Sequence, residues 1–136
     1  MKDLFSWSDK LSVTVDSIDE QHKELVRMVN ELNAAMGEGR ANDVIGKILK
    51  DLIAYTVTHF KHEETLMNTH AYPGFAKHKK EHENLVEKVL ALQSKFEAGQ
   101  ARMNIEVMLF LKNWLTAHIQ GTDKELGVFL SSTQAA

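Results

Sequence analysis

The stretch His59-Phe60-Lys61-His62-Glu63-Glu64 places two histidines and two acids in six consecutive residues. Such a density suits metal ligation, a zinc-protease helix or the wet side of a charged helix, and the three differ in which side chains point inward. The chain has no cysteine, so disulfides, iron–sulfur clusters and thiolate zinc sites are excluded and any metal must be held by nitrogen and oxygen. Further histidines stand at His22, at His78 and His82, and at His118. The His-x-x-x-Glu pair His59/Glu63 and the His-x-x-x-His pair His78/His82 are each one helical turn apart, so two donors of each pair can reach a common site.

The elements that must position these residues are helices. One proline, Pro73, and seven glycines that mostly lie between long amphipathic runs predict an all-α chain. Ser17-Ile18-Asp19-Glu20 has the pattern of a capping box, with a helix from there to about Gly37. Asn42 is the candidate N-cap of a second helix to about Asn68. Ala71-Tyr72-Pro73-Gly74 turns into a third that ends before Gly99. A fourth starts near Asn104 and runs to Gly121 or slightly beyond. Short connections between long helices favour an up-down-up-down antiparallel four-helix bundle. The expected organisation is one domain over 1–136. It has an extended arm at 1–16 carrying Phe5, Trp7, Leu11, Val13 and Val15, a bundle over 17–130 and a disordered tail at 131–136.

Helical phase assigns the inward positions. The first helix buries His22, Leu25, Val29, Leu32 and Met36, and the third Phe75, His78, His82, Leu85, Val89, Leu92 and Phe96. The fourth buries Met108, Leu111, Trp114, Leu115, His118 and Ile119. In the second, Ile45, Leu49, Leu52, Thr56, His59, Glu63 and Leu66 share a face. Glu63 lies near its centre, His59 about 40° to one side, and His62 and Glu64 about 100° away. A single histidine on an apolar seam is ordinarily a hydrogen-bonded core residue. Five of them over four helices, with a buried carboxylate, would be costly without a cation that turns every group into a ligand. A second carboxylate could come from Asp123 or Glu125. Glu125 is in phase with His118 but roughly 10 Å along the axis, whereas Asp123 is about 7.5 Å away but about 140° around an ideal helix. A π-bulge at Gly121 would swing Asp123 inward.

The set His22, His59-x-x-x-Glu63, His78-x-x-x-His82, His118-x-x-x-x-Asp123 resembles the hemerythrin family over residues from about 5 to 130, and looks most like a bacterial hemerythrin domain such as the terminal domain of a methyl-accepting chemotaxis receptor. The resemblance implies two non-haem irons. His78, His82 and His118 would cap one, His22 and His59 the other, with Glu63, Asp123 and an oxo or hydroxo group bridging both. These ligands fill eleven of the roughly twelve octahedral positions, and the open one, on the two-histidine iron, is where dioxygen would bind and be reduced reversibly by the iron pair. No side chain need act as acid or base. Phe60, Trp114, Leu115 and Ile119 match the family's apolar oxygen pocket, which protects the bound state by excluding water, and they serve equally as core packing.

The rivals are of other classes. His62-Glu63-Glu64-Thr65-Leu66 begins like a zincin His-Glu-x-x-His helix but ends in leucine, and no Glu-x-x-His pair of the ferritin-like oxidases occurs. The expected function is therefore reversible dioxygen binding, with oxygen or redox sensing as its use and a receptor's signalling domains as possible partners. A carrier or store without signalling, and a di-iron redox enzyme acting on peroxide or nitric oxide, are the alternatives; a purely structural bundle is a third. The expectation is not an enzyme. A net charge of −3 with intermixed signs gives no basic stripe for nucleic acid. The absence of an apolar run near the ~18 residues of a membrane span, and of an export signal at the start, leads to an expected cytoplasmic location without membrane insertion. His62 and His70 are left as surface residues, and Lys77, Lys79, Lys80, Glu81, Glu83, Glu87 and Lys88 as a solvated face.

Overall fold

The computed structural model describes residues 5–39, 42–99 and 105–135. Helix α1 spans Asp16–Gly37, α2 Asn42–Thr69, α3 Phe75–Glu97 and α4 Ile105–His118. A π-helical turn, Ile119–Asp123, follows with right-handed helical backbone at both ends, and α5 continues over Lys124–Ala135. The result is the antiparallel four-helix bundle expected, with α4, the π turn and α5 as the fourth rod. The apolar stripes close on one another: Leu25, Val29, Leu32, Leu49, Leu52, Leu85, Val89, Leu111 and Leu115 are all buried in one core. Each such side chain removed from water contributes roughly 1.5–3 kcal/mol before entropy is counted. Helices α1 and α3 stop at Glu38 and Ala98, and the next residues, Gly39 (φ 68°) and Gly99 (φ 74°), take the left-handed conformation that ends a helix cheaply only at glycine.

The start of α1 differs from the capping box predicted at Ser17. The helix begins at Asp16 after an extended Val15, so Ser17 lies inside the first turn with its hydroxyl 3.0 Å from His62 Nε2. Asp19 organises this end instead: Oδ1 accepts the Val13 N–H at 2.8 Å and Oδ2 accepts the Ser12 hydroxyl at 2.6 Å. Asn42 is the first residue of α2 itself. Asn104, the predicted start of the fourth helix, and residues 1–4 of the arm lie outside the described residues. The chain from Ser131, predicted as a disordered tail, continues α5 to Ala135, and the Ser131 hydroxyl meets that of Thr14 at 3.0 Å.

The arm lies on the bundle as its composition demands. Phe5, Leu11 and Val13 are buried, and Trp7 and Val15 pack against the core. Asn30 of α1 clasps Phe5 by accepting its N–H at 2.9 Å and donating to its carbonyl at 2.6 Å. A short 3-10 turn, Asp9–Leu11, touches the π turn, and Val13 sits on Gly127 of α5 so closely that a Cβ there would overlap the Val13 carbonyl. The first and last segments of the chain are thus pinned together beside the π turn. No described helix is long and apolar enough to cross a membrane.

Candidate metal centre

Each of the four rods delivers buried polar residues to one level of the core. His22 comes from α1, His59 and Glu63 from α2, His78 and His82 from α3, His118 from the end of α4 and Asp123 from the π turn; all seven are at most 4% exposed. Bonding from i to i+5 inserts one residue into the turn, which brings Asp123 back under His118 and leaves Glu125 exposed. Of the two carboxylates open on an ideal helix, the π turn selects Asp123. Gly121 is not needed to make room for it, since a Cβ there would meet nothing within 4 Å.

The donor atoms form two groups that share both carboxylates, Glu63 with His78, His82, His118 and Asp123, and Glu63 with His22, His59 and Asp123, in each of which all lie within 4.8 Å of one another. The two oxygens of each carboxylate face opposite ways. Glu63 Oε1 is 3.0 Å from His82 Nε2 and 3.4 Å from His78 Nε2, whereas Oε2 is 3.4 Å from His59 Nε2 and 3.6 Å from His22 Nε2. Asp123 Oδ1 is 2.9 Å from His78 Nε2 and 3.1 Å from His118 Nε2, and Oδ2 is 2.9 Å from His22 Nε2.

Despite these distances, both oxygens of Glu63 and Asp123 and the Nε2 atoms of His22, His78, His82 and His118 are buried with no hydrogen bond among the described residues. Buried polar atoms without partners are rare because each costs free energy. A cation removes the cost, and bonds of roughly 2.1 Å at right angles put neighbouring donors about 3 Å apart. The residues therefore fit a nitrogen- and oxygen-bound metal. Without one, the charges stabilise each other. Burial opposes protonation of His22, but Asp123 and Glu63 prevail and raise its pKa from 6.5 to about 9. His78 follows for the same reasons, also to about 9, and His118 is raised as well. Burial pushes Glu63 and Asp123 upward, yet the surrounding imidazoles hold both below the ordinary carboxylate range.

Three ring nitrogens on the outer side have acceptors that the sequence reading missed. His59 Nδ1 donates to Gln21 Oε1 at 2.6 Å, His82 Nδ1 to Glu64 Oε2 at 3.0 Å, and His118 Nδ1 to Glu81 Oε1 at 3.1 Å. Glu81 also accepts the Thr122 hydroxyl at 2.9 and 3.0 Å, tying α3 to the π turn. It is thus half-buried and bonded, not part of the solvated face assigned to it. A signal existed: Gln21, Glu64 and Glu81 each adjoin a ligand candidate in sequence, and a neighbour 100° around a helix points at the next rod. His62 and His70 remain partly exposed, outside the buried cluster, as expected.

Of the pocket residues, Phe60, Leu115 and Ile119 are buried and Trp114 is half-buried. Phe60 stacks on His82 (centroids 3.8 Å, 5° between planes) and reaches His59 at 5.8 Å; Trp114 stacks on His118 at 4.5 Å and 18°. The two aromatics thus lean more on the three-histidine group than on the two-histidine group. Trp114 and Leu115 also wall a cavity of about 20 Å³ with Val29, Leu52, Thr56 and Leu85 among its other sides. Its single hydroxyl, on Thr56, is committed to the Leu52 carbonyl at 2.7 Å, so the space is apolar.

The profile of the hemerythrin HHE cation binding domain matches residues 13–130. A bacteriohemerythrin of Methylococcus capsulatus is 42% identical over 130 residues, covering 95% of this chain and 98% of its own. One of Pseudomonas aeruginosa is 36% identical over 117 residues, covering 86% and 75%. The crystal structure of a wild-type hemerythrin superposes with a TM-score of 0.90 at 42% identity, over 94% of this chain and 98% of that one. With a family profile spanning most of the sequence and relatives of this identity covering nearly all of it, the chain belongs to the hemerythrin family.

Proposed function

We propose that the chain holds two iron ions and binds dioxygen reversibly. The observation that carries this reading is the division of the two carboxylates: Oε1 of Glu63 and Oδ1 of Asp123 face His78, His82 and His118, while Oε2 and Oδ2 face His22 and His59. His78, His82 and His118 would hold one ion, His22 and His59 the other, and both acids would bridge. Two ferrous ions supply the two electrons that reversible oxygen binding needs. The protein would give five donor residues to the first ion and four to the second, so the second would be the less crowded position for the gas. Phe60, Trp114, Leu115 and Ile119 exclude water and carry no acidic group, and the apolar cavity beside Trp114 and Leu115 has room for one small uncharged molecule. None of the donor residues is free to act as acid or base, which favours binding over hydrolytic or protease chemistry.

Sensing is the use we assign to this binding. The support is the arm: its 3-10 turn and Val13 rest on the π turn and on Gly127, four residues past Asp123, so a shift at Asp123 reaches the N-terminal segment through one packed contact, where a signalling partner could read it. The test is the visible spectrum of anaerobically reduced, iron-loaded protein as oxygen is admitted and then purged with argon. An absorption band that rises and fades over repeated cycles supports the reading. A single irreversible conversion to the oxidised spectrum contradicts it and favours the redox enzyme.

A further inference from the structure

The outward hydrogen bonds of the histidines are not alike. His82 and His118, both in the three-histidine group, donate to carboxylates, Glu64 at 3.0 Å and Glu81 at 3.1 Å. His59, in the two-histidine group, donates to the neutral amide oxygen of Gln21 at 2.6 Å, and the remaining histidine of each group, His22 and His78, is buried with no acceptor for Nδ1 among the described residues. The acceptors run in one direction around the bundle: α1 supports the histidine of α2, α2 that of α3, and α3 that of α4. A carboxylate only accepts, so it fixes the proton on Nδ1 and turns the Nε2 lone pair to the centre; it also makes the imidazole a stronger donor than an amide can.

We propose that Gln21, Glu64 and Glu81 are positioning residues that give the centre a built-in redox polarity, with the three-histidine position biased toward the ferric state and the two-histidine position toward the ferrous state. The inference rests on the two-iron reading above. Among the described residues, two anionic acceptors beside one position and none beside the other act twice in the same sense: they raise ligand donation, and their charges favour the extra positive charge of ferric iron. In a stepwise reduction the first electron therefore enters at the two-histidine position and the second at the three-histidine position. This keeps the more reducible ion at the less crowded position.

The experiment is potentiometric titration of the iron-loaded protein, with iron content measured for each variant. Glu64→Gln and Glu81→Gln are each expected to raise the potential of the second step, by about tenfold in the ferrous-to-ferric ratio, which is about 59 mV for a one-electron couple. Gln21→Glu is expected to lower the first step by a similar amount. Because Glu81 also holds Thr122, Glu64→Gln serves as the variant free of that contact. A role in folding alone would lose iron or move both steps together, and a charge felt equally by both ions would do the same, so the step that each variant moves is diagnostic. Unchanged potentials, equal shifts of both steps, or a first-step shift in Glu64→Gln with a second-step shift in Gln21→Glu overturn the proposal. If two irons load with the expected order but oxygen binds irreversibly, the oxygen-binding reading fails and the polarity stands; fewer than two irons per chain overturns both.

Discussion

His22 and His78 show at the residue scale why this core asks for a cation. Each lies against Asp123 and Glu63, and each has a pKa raised from 6.5 to about 9. A group with a raised folded-state pKa contributes stability that is complete below its unfolded value and is lost as pH climbs through the folded one. Glu63 and Asp123, held below 4.5 and 3.8, contribute in the opposite sense, and their share is lost in acid. The chelated protein should therefore be most stable between about pH 4.5 and 6.5 and weaken steadily toward pH 9. Denaturant unfolding of metal-free protein across this range checks it; constant or rising stability from pH 6.5 to 9 would show that the carboxylates do not hold these protons. At neutral pH iron uptake should also release protons, since ligation requires neutral imidazole.

The inward set at this scale was legible from sequence because five histidines and Glu63 fall in phase with apolar stripes. Gln21, Glu64 and Glu81 were legible only as sequence neighbours of His22, Glu63 and His82, not as partners of particular histidines. Their bonds cross between rods, and helical phase on one rod does not give the rotation of the next.

The π turn is the element on which the site depends. Thr122 donates to Glu81 at 2.9 Å, and this bond, rather than the small size of Gly121, ties the turn to α3. Gly121→Ala should leave iron content at the wild-type level and add up to about 1 kcal/mol of stability. Thr122→Val should cost about 1 kcal/mol and weaken iron retention. Equilibrium unfolding and metal analysis of the two variants decide it, and loss of iron in Gly121→Ala but not in Thr122→Val would reverse the assignment. The arm gives a second element-scale prediction. A methyl at Gly127 would overlap the Val13 carbonyl, so Gly127→Ala should destabilise by roughly 1–3 kcal/mol and change the emission of Trp7, which packs near the Lys23 ammonium. Unchanged stability and emission would mean that the arm is not seated there. The sequence carried the apolar content of the arm and the possibility of a π-bulge, but not the contact between them: residues 13 and 127 meet only through the assembled bundle.

For the whole molecule, the fold was the most legible level, since amphipathic runs separated by glycine and proline leave few ways to bury four stripes. The errors fall at the ends, where local rules compete. Asp19 captured the Ser12 and Val13 groups and moved the start of α1 from Ser17 to Asp16, and α5 ran on past Ser131. At this scale a polar layer contributed by all four rods crosses the apolar core, so metal and bundle should be coupled in stability. Removing iron should lower the thermal midpoint, more at pH 9 than at pH 6, because the imidazolium–carboxylate contacts that substitute for the metal are lost as His22 and His78 deprotonate. Calorimetry of loaded and chelated protein at the two pH values checks this; equal midpoints would separate the site from the fold.

The most direct test of the shared-carboxylate centre is iron content combined with magnetic susceptibility of the oxidised, loaded protein. The arrangement of Glu63 and Asp123 between the two histidine groups predicts two irons per chain whose spins are coupled through the shared carboxylates. One iron per chain, or two that behave as independent ions, would contradict it.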